Sequence, residues 1–592
     1  MPEPSTARSV SWSLSPALRA ALVCFALGVY WVVTLDMQRS WGWDEASHAE
    51  LPAVRMLLSV QEGDFSGFFR VLHTCQQYPF GWPLVLAAVQ GLFGISEWVC
   101  RAAGLGVWAL TLWGVFLLAQ EVVRARRPYG EGRLRGDDLL PWLALGFAAL
   151  SPMALGYGAS LFLEVPFTCC AVFALRAWLR RTTMRGERGE GMRAIWASLL
   201  LAAAFFVKFN YGILLVAGCG LDWLVGLMLA KRAGRFWSEI HCLPFLALPF
   251  LFAVGWWLLL PLPYGFEMGA DHRRVLFAFL SSNQEMAATP WSQRLIFMAI
   301  CLTFTARLFA VQLLGLFGSV AGVLAPGARL LWLVLLAMGI PVWTHNFHLD
   351  RFLIPSAPVF WILAACGISG ILPISAIGRS LSIGGLSLLL LFKPGADGPW
   401  LAEKLGLLRG DQSTQDYISS ILSEKHRLGA DRQMWTPGIS PQATAEIMGL
   451  VHAEVGASES LGWIGINTEL CPAAIHLSLL SESGNRARFL RESHLPMDVT
   501  FTGSDPGWNA DQLRAFTKRF DVMISTDPAD IGNRGARAFT RNYATMLMDE
   551  LGWQVRELGK VMIPKDRGAA MQLSVYALRP PAAEKGGDES QK

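Results

Sequence analysis

Apolar runs of membrane-crossing length recur over the first two thirds of this 592-residue chain, and they constrain its fold more than any other feature. A helix needs ~20 consecutive apolar residues to cross the hydrocarbon layer. Candidate spans fall at 17–35, 99–121, 139–157, 160–179, 194–208, 210–230, 241–263, 294–323, 329–344, 353–372 and 380–393. Inside a bilayer the backbone has no water to bond, so each run must close its own hydrogen bonds as a helix. The expected fold class is an all-α polytopic membrane domain of about eleven helices, followed by a soluble α/β domain. Charged residues make up 16% of the chain. A soluble globular chain carries about 25%, so a standard soluble enzyme and a disordered chain are both excluded. The net charge of +4 is spread along the sequence and suggests no nucleic-acid partner. The ten cysteines contain no CxxC pair and no zinc-type spacing; no ligand cluster requires a metal, and no cofactor is expected.

Basic loops set the expected sidedness, because Lys and Arg are retained on the cytoplasmic face. Arg124, Arg126, Arg127, Arg133 and Arg135 form one cluster; Arg176, Arg180, Arg181, Arg185, Arg188 and Arg193 form another; Lys231, Arg232 and Arg235 form a third. These fall on one side only if the apolar stretch 81–95 does not cross fully. The N-terminus is then cytoplasmic, and the C-terminus external. The first run is followed by further spans and lacks a small-residue cleavage site, so it reads as a span and not a signal peptide.

From about residue 394 the apolar runs stop and Asp, Glu, Arg, Ser and Gly become frequent. Short strand-like runs at 433–435, 463–466, 499–501, 522–525 and 573–577 alternate with helix-like runs at 441–455, 472–480, 511–520 and 536–551. That order predicts an external α/β domain over 394–579. The Pro-, Gly- and charge-rich tail 580–592 reads as disordered.

Charged residues beside the apolar runs gather toward one face. The first external loop, 36–80, carries Ser40-Trp41-Gly42-Trp43-Asp44-Glu45-Ala46-Ser47-His48. A carboxylate here can take a proton from a hydroxyl or amine at the membrane surface, or Asp44 can simply cap the next helix. His73-Thr74-Cys75-Gln76-Gln77-Tyr78-Pro79-Phe80-Gly81-Trp82-Pro83 leads into the apolar stretch, and Gly94-Ile95-Ser96-Glu97-Trp98-Val99-Cys100-Arg101 opens the second span. Arg101 meets a phosphate or snorkels to lipid headgroups. Glu164 stands between two closely spaced spans; buried, it needs a partner or a function, and otherwise it is a loop residue. Lys208, in Phe205-Phe206-Val207-Lys208-Phe209-Asn210-Tyr211-Gly212, suits an anionic group or snorkels. His345-Asn346-Phe347-His348-Leu349-Asp350-Arg351-Phe352-Leu353-Ile354-Pro355 offers Arg351, which can grip a phosphate with two parallel hydrogen bonds or pair with Asp350. Arg307 falls inside an apolar run, lining a cavity or marking a misplaced boundary.

In their order these motifs resemble the GT-C superfamily of integral membrane glycosyltransferases: the Asp-Glu pair, the Pro-aromatic segment, Gly-x-Ser-Glu-x-x-x-Arg, Ser151-Pro152 with a downstream acid, Lys-x-Asn-Tyr-Gly, and His-x-x-x-x-x-Arg-Phe-Leu-Ile-Pro. Within it the chain is most similar to the branch holding protein O-mannosyltransferases and the lipid A aminoarabinose transferase. The resemblance covers about residues 17–393. It implies a polyprenyl-phosphate sugar donor, a lipid, glycan or protein acceptor, and catalysis on the external face of what is expected to be a bacterial inner membrane. It implies Asp44 as catalytic base with Glu45 beside it, and Glu164 as a second acid orienting acceptor or base. Lys208, Arg351, Arg101 and His345 are implied as contacts to the donor phosphate. Gln77-Tyr78-Pro79 departs from the commoner His-Pro-Pro pattern, so His73 receives no role. One base and a phosphate leaving group suffice for displacement with inversion, since a phosphate neutralised by cations needs no general acid.

Two other classes fit the spans. A transporter or flippase would show internal repeats and broken helices near the midplane; no convincing repeat stands out here. An inactive scaffold presenting its external domain would tolerate loss of Asp44.

Overall fold

The computed structural model describes residues 14–34, 45–74, 78–126, 139–151, 157–158, 160–184, 189–232, 236–259, 309–323, 325–344, 350–371, 446–447, 449–450, 461–464, 522–526, 554–563 and 571–579. Among these, six helical stretches are long and apolar enough to cross a membrane: Pro16–Thr34, Glu97–Arg126, Glu190–Val207, Phe209–Arg232, Glu239–Trp257 and Arg351–Gly370. Large apolar side chains point outward from them, as with Phe252, which is 81% exposed. In a membrane protein that outward apolar surface belongs to lipid.

Residues 1–35 and 102–434 form one compact unit, and residues 36–101 and 435–592 form a second. In the first unit the helices are α1 (Pro16–Thr34), most of α5 (Glu97–Arg126), α6 (Leu140–Ala149), α7 (Glu164–Thr183), α8 (Glu190–Val207), α9 (Phe209–Arg232), α10 (Phe236–Leu259), α11 (Phe309–Ser319), α12 (Pro326–Thr344) and α13 (Ala357–Ile371). A 3-10 turn, Asp350–Ser356, leads into α13. α8 packs against α7, α9 and α10; α12 packs on α9, and α11 on α13. A Cβ at Gly367 would overlap the Gly315 carbonyl, so α11 and α13 can approach this closely only where both residues are glycine.

Helix ends follow local chemistry. The expected span 139–157 ends early, with α6 stopping at Ala149. Pro152 disfavours helical geometry in the residue before it and cannot donate a backbone N–H. α7 begins at Glu164 and runs to Thr183, carrying Arg176, Arg180 and Arg181 in its second half. Between α8 and α9 only Lys208 leaves the helical region, at φ −153° and ψ 98°. Gly212 is required just beyond, because a Cβ there would lie 2.5 Å from the Phe205 Cα. The expected run 380–393, residues 294–308 with Arg307, and the tail 580–592 lie outside the described residues.

The second unit contains a π-helical turn (Ala46–Glu50), α2 (Leu51–Gln61), α3 (Phe65–Thr74), α4 (Gly81–Phe93) and the first turn of α5. α2 packs against α3, α4 and the π-turn. α4 has 13 residues. At 1.5 Å per residue it reaches ~20 Å, short of the ~30 Å hydrocarbon thickness. Gly94 ends it at φ 91°, a left-handed conformation that favours glycine.

The same unit holds a four-stranded mixed sheet in the order β1-β2-β4-β3, with β1 Leu461–Ile464, β2 Val522–Thr526, β3 Gln554–Ile563 and β4 Met571–Arg579. β1 and β2 run parallel, while β2–β4 and β3–β4 are antiparallel. Of the predicted strands, 522–525 and 573–577 fall within β2 and β4, and 463–466 overlaps β1 at Trp463 and Ile464. β3 was not predicted. Its register shifts between Glu557 and Gly559, so the apolar alternation slips by one residue. Gly559 also makes room for the Leu450 side chain. The predicted strands 433–435 and 499–501 and most of the predicted helices lie outside the described residues.

Candidate active site

In the first unit three predicted residues from separate elements meet. Glu164 opens α7, where the helix N-terminus favours a negative charge. Its side chain is only 1% exposed. Lys208, placed by the break between α8 and α9, brings its Nζ to 2.7 Å from Glu164 Oε1. Arg351, in the 3-10 turn, approaches the same oxygen at 3.5 Å. Aromatic rings enclose the cations: Lys208 Nζ lies 5.2 Å from the Tyr211 ring, and the Arg351 guanidinium 4.5 Å from the Phe162 ring. The Tyr211 hydroxyl donates to the Phe352 carbonyl, tying α9 to the 3-10 turn. Lys208 is buried, so it does not snorkel to headgroups. Glu164 Oε1 thus gathers two cations from separate elements.

The second unit carries an acidic cluster built on the start of α5. Arg101 is 1% exposed and lies between two carboxylates. Its two terminal nitrogens meet the two Glu45 oxygens at 3.1 and 3.3 Å. Its Nε donates to Glu97 Oε1 at 2.8 Å, and its Nη2 lies 2.7 Å from the same oxygen. The preceding residue, Cys100, points its Sγ at Glu50 Oε2 at 3.1 Å, and Gln90 Nε2 donates to that oxygen at the same distance. Burial pushes the Glu50 carboxyl up to about 7, against the opposing pull of the Cys100 and Gln90 hydrogen bonds and the Arg101 charge. The Gln90 carbonyl oxygen is buried without a hydrogen-bond partner. A protonated Glu50 has the donor that oxygen lacks.

Asp44, His345 and Pro152 lie outside the described residues, as does the side chain of His73. Glu45, Glu164, Lys208, Arg101 and Arg351 are all described, and every one is engaged with opposite charge. Sequence reasoning did not single out Glu50, Gln90 or Cys100, because one acid and one amide in partly apolar segments carry no pattern. It also passed over Asp222, whose carboxylate sits inside α9 and bonds Arg329 Nε at 2.7 Å and Trp178 Nε1 at 2.9 Å. A lone carboxylate within an apolar run is the signal that marks it. Arg181, 3.5 Å from Glu239, forms a further buried pair between α7 and α10.

No family model matches this chain, and no curated protein matches it in sequence. Among solved structures it is similar to ArnT from Cupriavidus metallidurans in the apo state, with TM-score 0.54 and 14% identity over 95% of this chain and 98% of that one. It is similar as well to the same protein bound to undecaprenyl phosphate, with TM-score 0.53 and 13% identity over 94% and 97% of the two chains. At such identity the likeness is one of fold.

Proposed function

Starting from the GT-C fold of this chain, we propose that it is an inverting glycosyltransferase, moving a sugar from a polyprenyl-phosphate donor to an acceptor at the external membrane face. The observation that carries this is the meeting of Lys208 and Arg351 at the buried Glu164, two cations of the kind that can neutralise a phosphate leaving group. The structural neighbour bound to undecaprenyl phosphate supports the same class of donor.

In this reading Asp44 takes the proton from an acceptor hydroxyl or amine as that atom attacks the anomeric carbon from the face opposite the phosphate. The bond from the anomeric carbon to the phosphate oxygen breaks, and the polyprenyl phosphate departs with the electron pair. Lys208 and Arg351, with His345, neutralise it, so no general acid is needed. Glu164 holds both cations in place. The chain is then a multi-pass protein of a bacterial plasma membrane, with a cytoplasmic N-terminus and an external domain from 394.

The test is sugar transfer from a polyprenyl-phosphate donor by purified protein in detergent. Asp44→Asn keeps side-chain size and helix-capping ability but removes the proton acceptor. A loss of roughly 10²–10⁴-fold is expected. Glu45→Gln and the double variant are measured alongside. Near-normal turnover in Asp44→Asn, with Glu45→Gln also active, sinks this mechanism and leaves the scaffold and the transporter.

A further inference from the structure

Helices α5 and α7 run side by side in the same direction and end in a cluster of arginines. A Cβ at Gly114 would meet Val172 and the Phe173 ring. Trp113 meets Phe173 with ring centroids 6.2 Å apart. Further along α5, Glu121 accepts from the Thr183 hydroxyl at 3.4 Å, near the end of α7. Arg124 donates to Glu121 Oε2 at 3.0 Å. Arg180 Nε stands 4.0 Å from the same oxygen, too far for a hydrogen bond. Arg176, one turn earlier on α7, lies within electrostatic reach of Glu121, Arg124 and Arg180. The Nε donors of Arg176 and Arg180 are buried without a hydrogen-bond partner. The Glu121 side chain is 2% exposed, whereas those of Arg124 and Arg180 are 55% and 41% exposed. The cluster thus has a buried floor and an open mouth.

We propose that Arg124, Arg176 and Arg180 form a binding site for the phosphate headgroup of an anionic phospholipid, at the end of α7 away from Glu164. This goes beyond the transferase reading and does not depend on it. Counted along α7 from Glu164 to Arg180, a rise of ~1.5 Å per residue separates the two places by ~24 Å. Three guanidinium groups face one carboxylate, and each of the two helix C-termini adds about half a negative charge. Among the described residues that leaves about one positive charge, which matches a phosphodiester. A planar guanidinium offers parallel N–H donors to phosphate oxygens. Arg176 and Arg180 share one face of α7, and Arg124 faces them from α5, so a phosphate over Glu121 is met from two helices.

The surroundings favour a lipid over a soluble anion. Trp113, which touches Phe173, also donates its indole N–H to the Ala17 carbonyl, so α1 flanks the same pair of helices. α1 exposes Leu18 and Leu22 on either side of that contact. Acyl chains can rest on such a surface, and a free phosphate makes no use of it. Basic residues at helix ends also serve as a topology signal. That role needs only their charge outside the bilayer, not their convergence on one buried carboxylate.

The experiment follows thermal unfolding of the purified protein in a neutral detergent as lipid is added. The probes are phosphatidylglycerol, phosphatidylcholine and inorganic phosphate. Phosphatidylglycerol should raise the unfolding temperature and phosphatidylcholine should not, since a ligand of the folded state stabilises it by mass action. Arg176→Gln and Arg180→Gln should each weaken the apparent affinity for phosphatidylglycerol about fivefold, and the double variant roughly 25-fold. Glu121→Gln should tighten it, because the carboxylate competes for the same donors. Lys231→Gln and Arg232→Gln, at the end of α9, control for charge alone and should leave it unchanged. If the double variant does not fold, Arg124→Gln, exposed on α5, is read by the same criterion. No response to phosphatidylglycerol, or an unchanged response in the arginine variants, overturns the proposal. Equal weakening by the α9 variants overturns it as well, by marking nonspecific attraction. An equal shift from inorganic phosphate makes this a free-anion site and overturns the lipid assignment. None of these readouts uses sugar transfer, so failure of the transferase reading leaves them intact.

Discussion

Glu50→Gln should stabilise the protein at alkaline pH and leave it unchanged at acid pH. The Glu50 carboxyl stands at about 7 in the fold, against 4.5 unperturbed, chiefly because of burial. That gap, at about 1.4 kcal/mol per pH unit, is worth about 3 kcal/mol. The sign follows from proton counts. Below pH 4.5 both the folded and the unfolded chain hold the proton, so nothing is lost. Between 4.5 and about 7 the unfolded chain releases it first, and stability falls as pH rises. Above about 7 the fold bears the whole cost of a buried charge. Glutamine never ionises, so the variant escapes that cost. Its carbonyl can accept from Gln90 and Cys100 as Glu50 does, and its amide can donate to the Gln90 carbonyl that lacks a partner. The value of about 3 kcal/mol is an upper bound, because a detergent-denatured chain keeps residual structure. The assay is denaturant unfolding in detergent, followed by the fluorescence of the 24 tryptophans, at about pH 4 and about pH 8.5. A stability difference that is the same at both pH values, or a variant less stable than wild type at the higher pH, would refute the reasoning.

Lys208→Ala and Arg351→Ala should each weaken use of the lipid-phosphate donor roughly ten- to hundredfold, from the loss of ~1.5–3 kcal/mol of charged hydrogen bonding; unchanged donor kinetics in both would separate the trio from the donor. Lys208→Ala also takes the nearest partner from a buried Glu164, a loss of ~3–5 kcal/mol in stability; adding Glu164→Gln should recover the stability without recovering donor use, and a double variant no more stable than the single would contradict this. Reporter fusions near residues 130 and 185 should read cytoplasmic and one at 450 external, since basic loops are retained inside. A cytoplasmic signal at 450 would overturn the proposed sidedness.

The sequence by itself determined that this chain is a bundle of apolar helices, because long runs without charge have only one way to satisfy their backbones in a bilayer. It also picked out Glu45, Glu164, Lys208, Arg101 and Arg351, since charged residues beside apolar runs are costly enough to stand out. It placed β1, β2 and β4 by their short apolar runs, but not β3, whose bulge shifts the alternation by one residue. What the tertiary structure decided is which charges meet. Glu164 and Lys208 are 44 residues apart and Glu45 and Arg101 are 56 apart, and no local pattern encodes those pairings. Folding set the Glu45 and Glu97 carboxylates against Arg101, and the Glu45 contact comes from the packing of segments far apart in the chain.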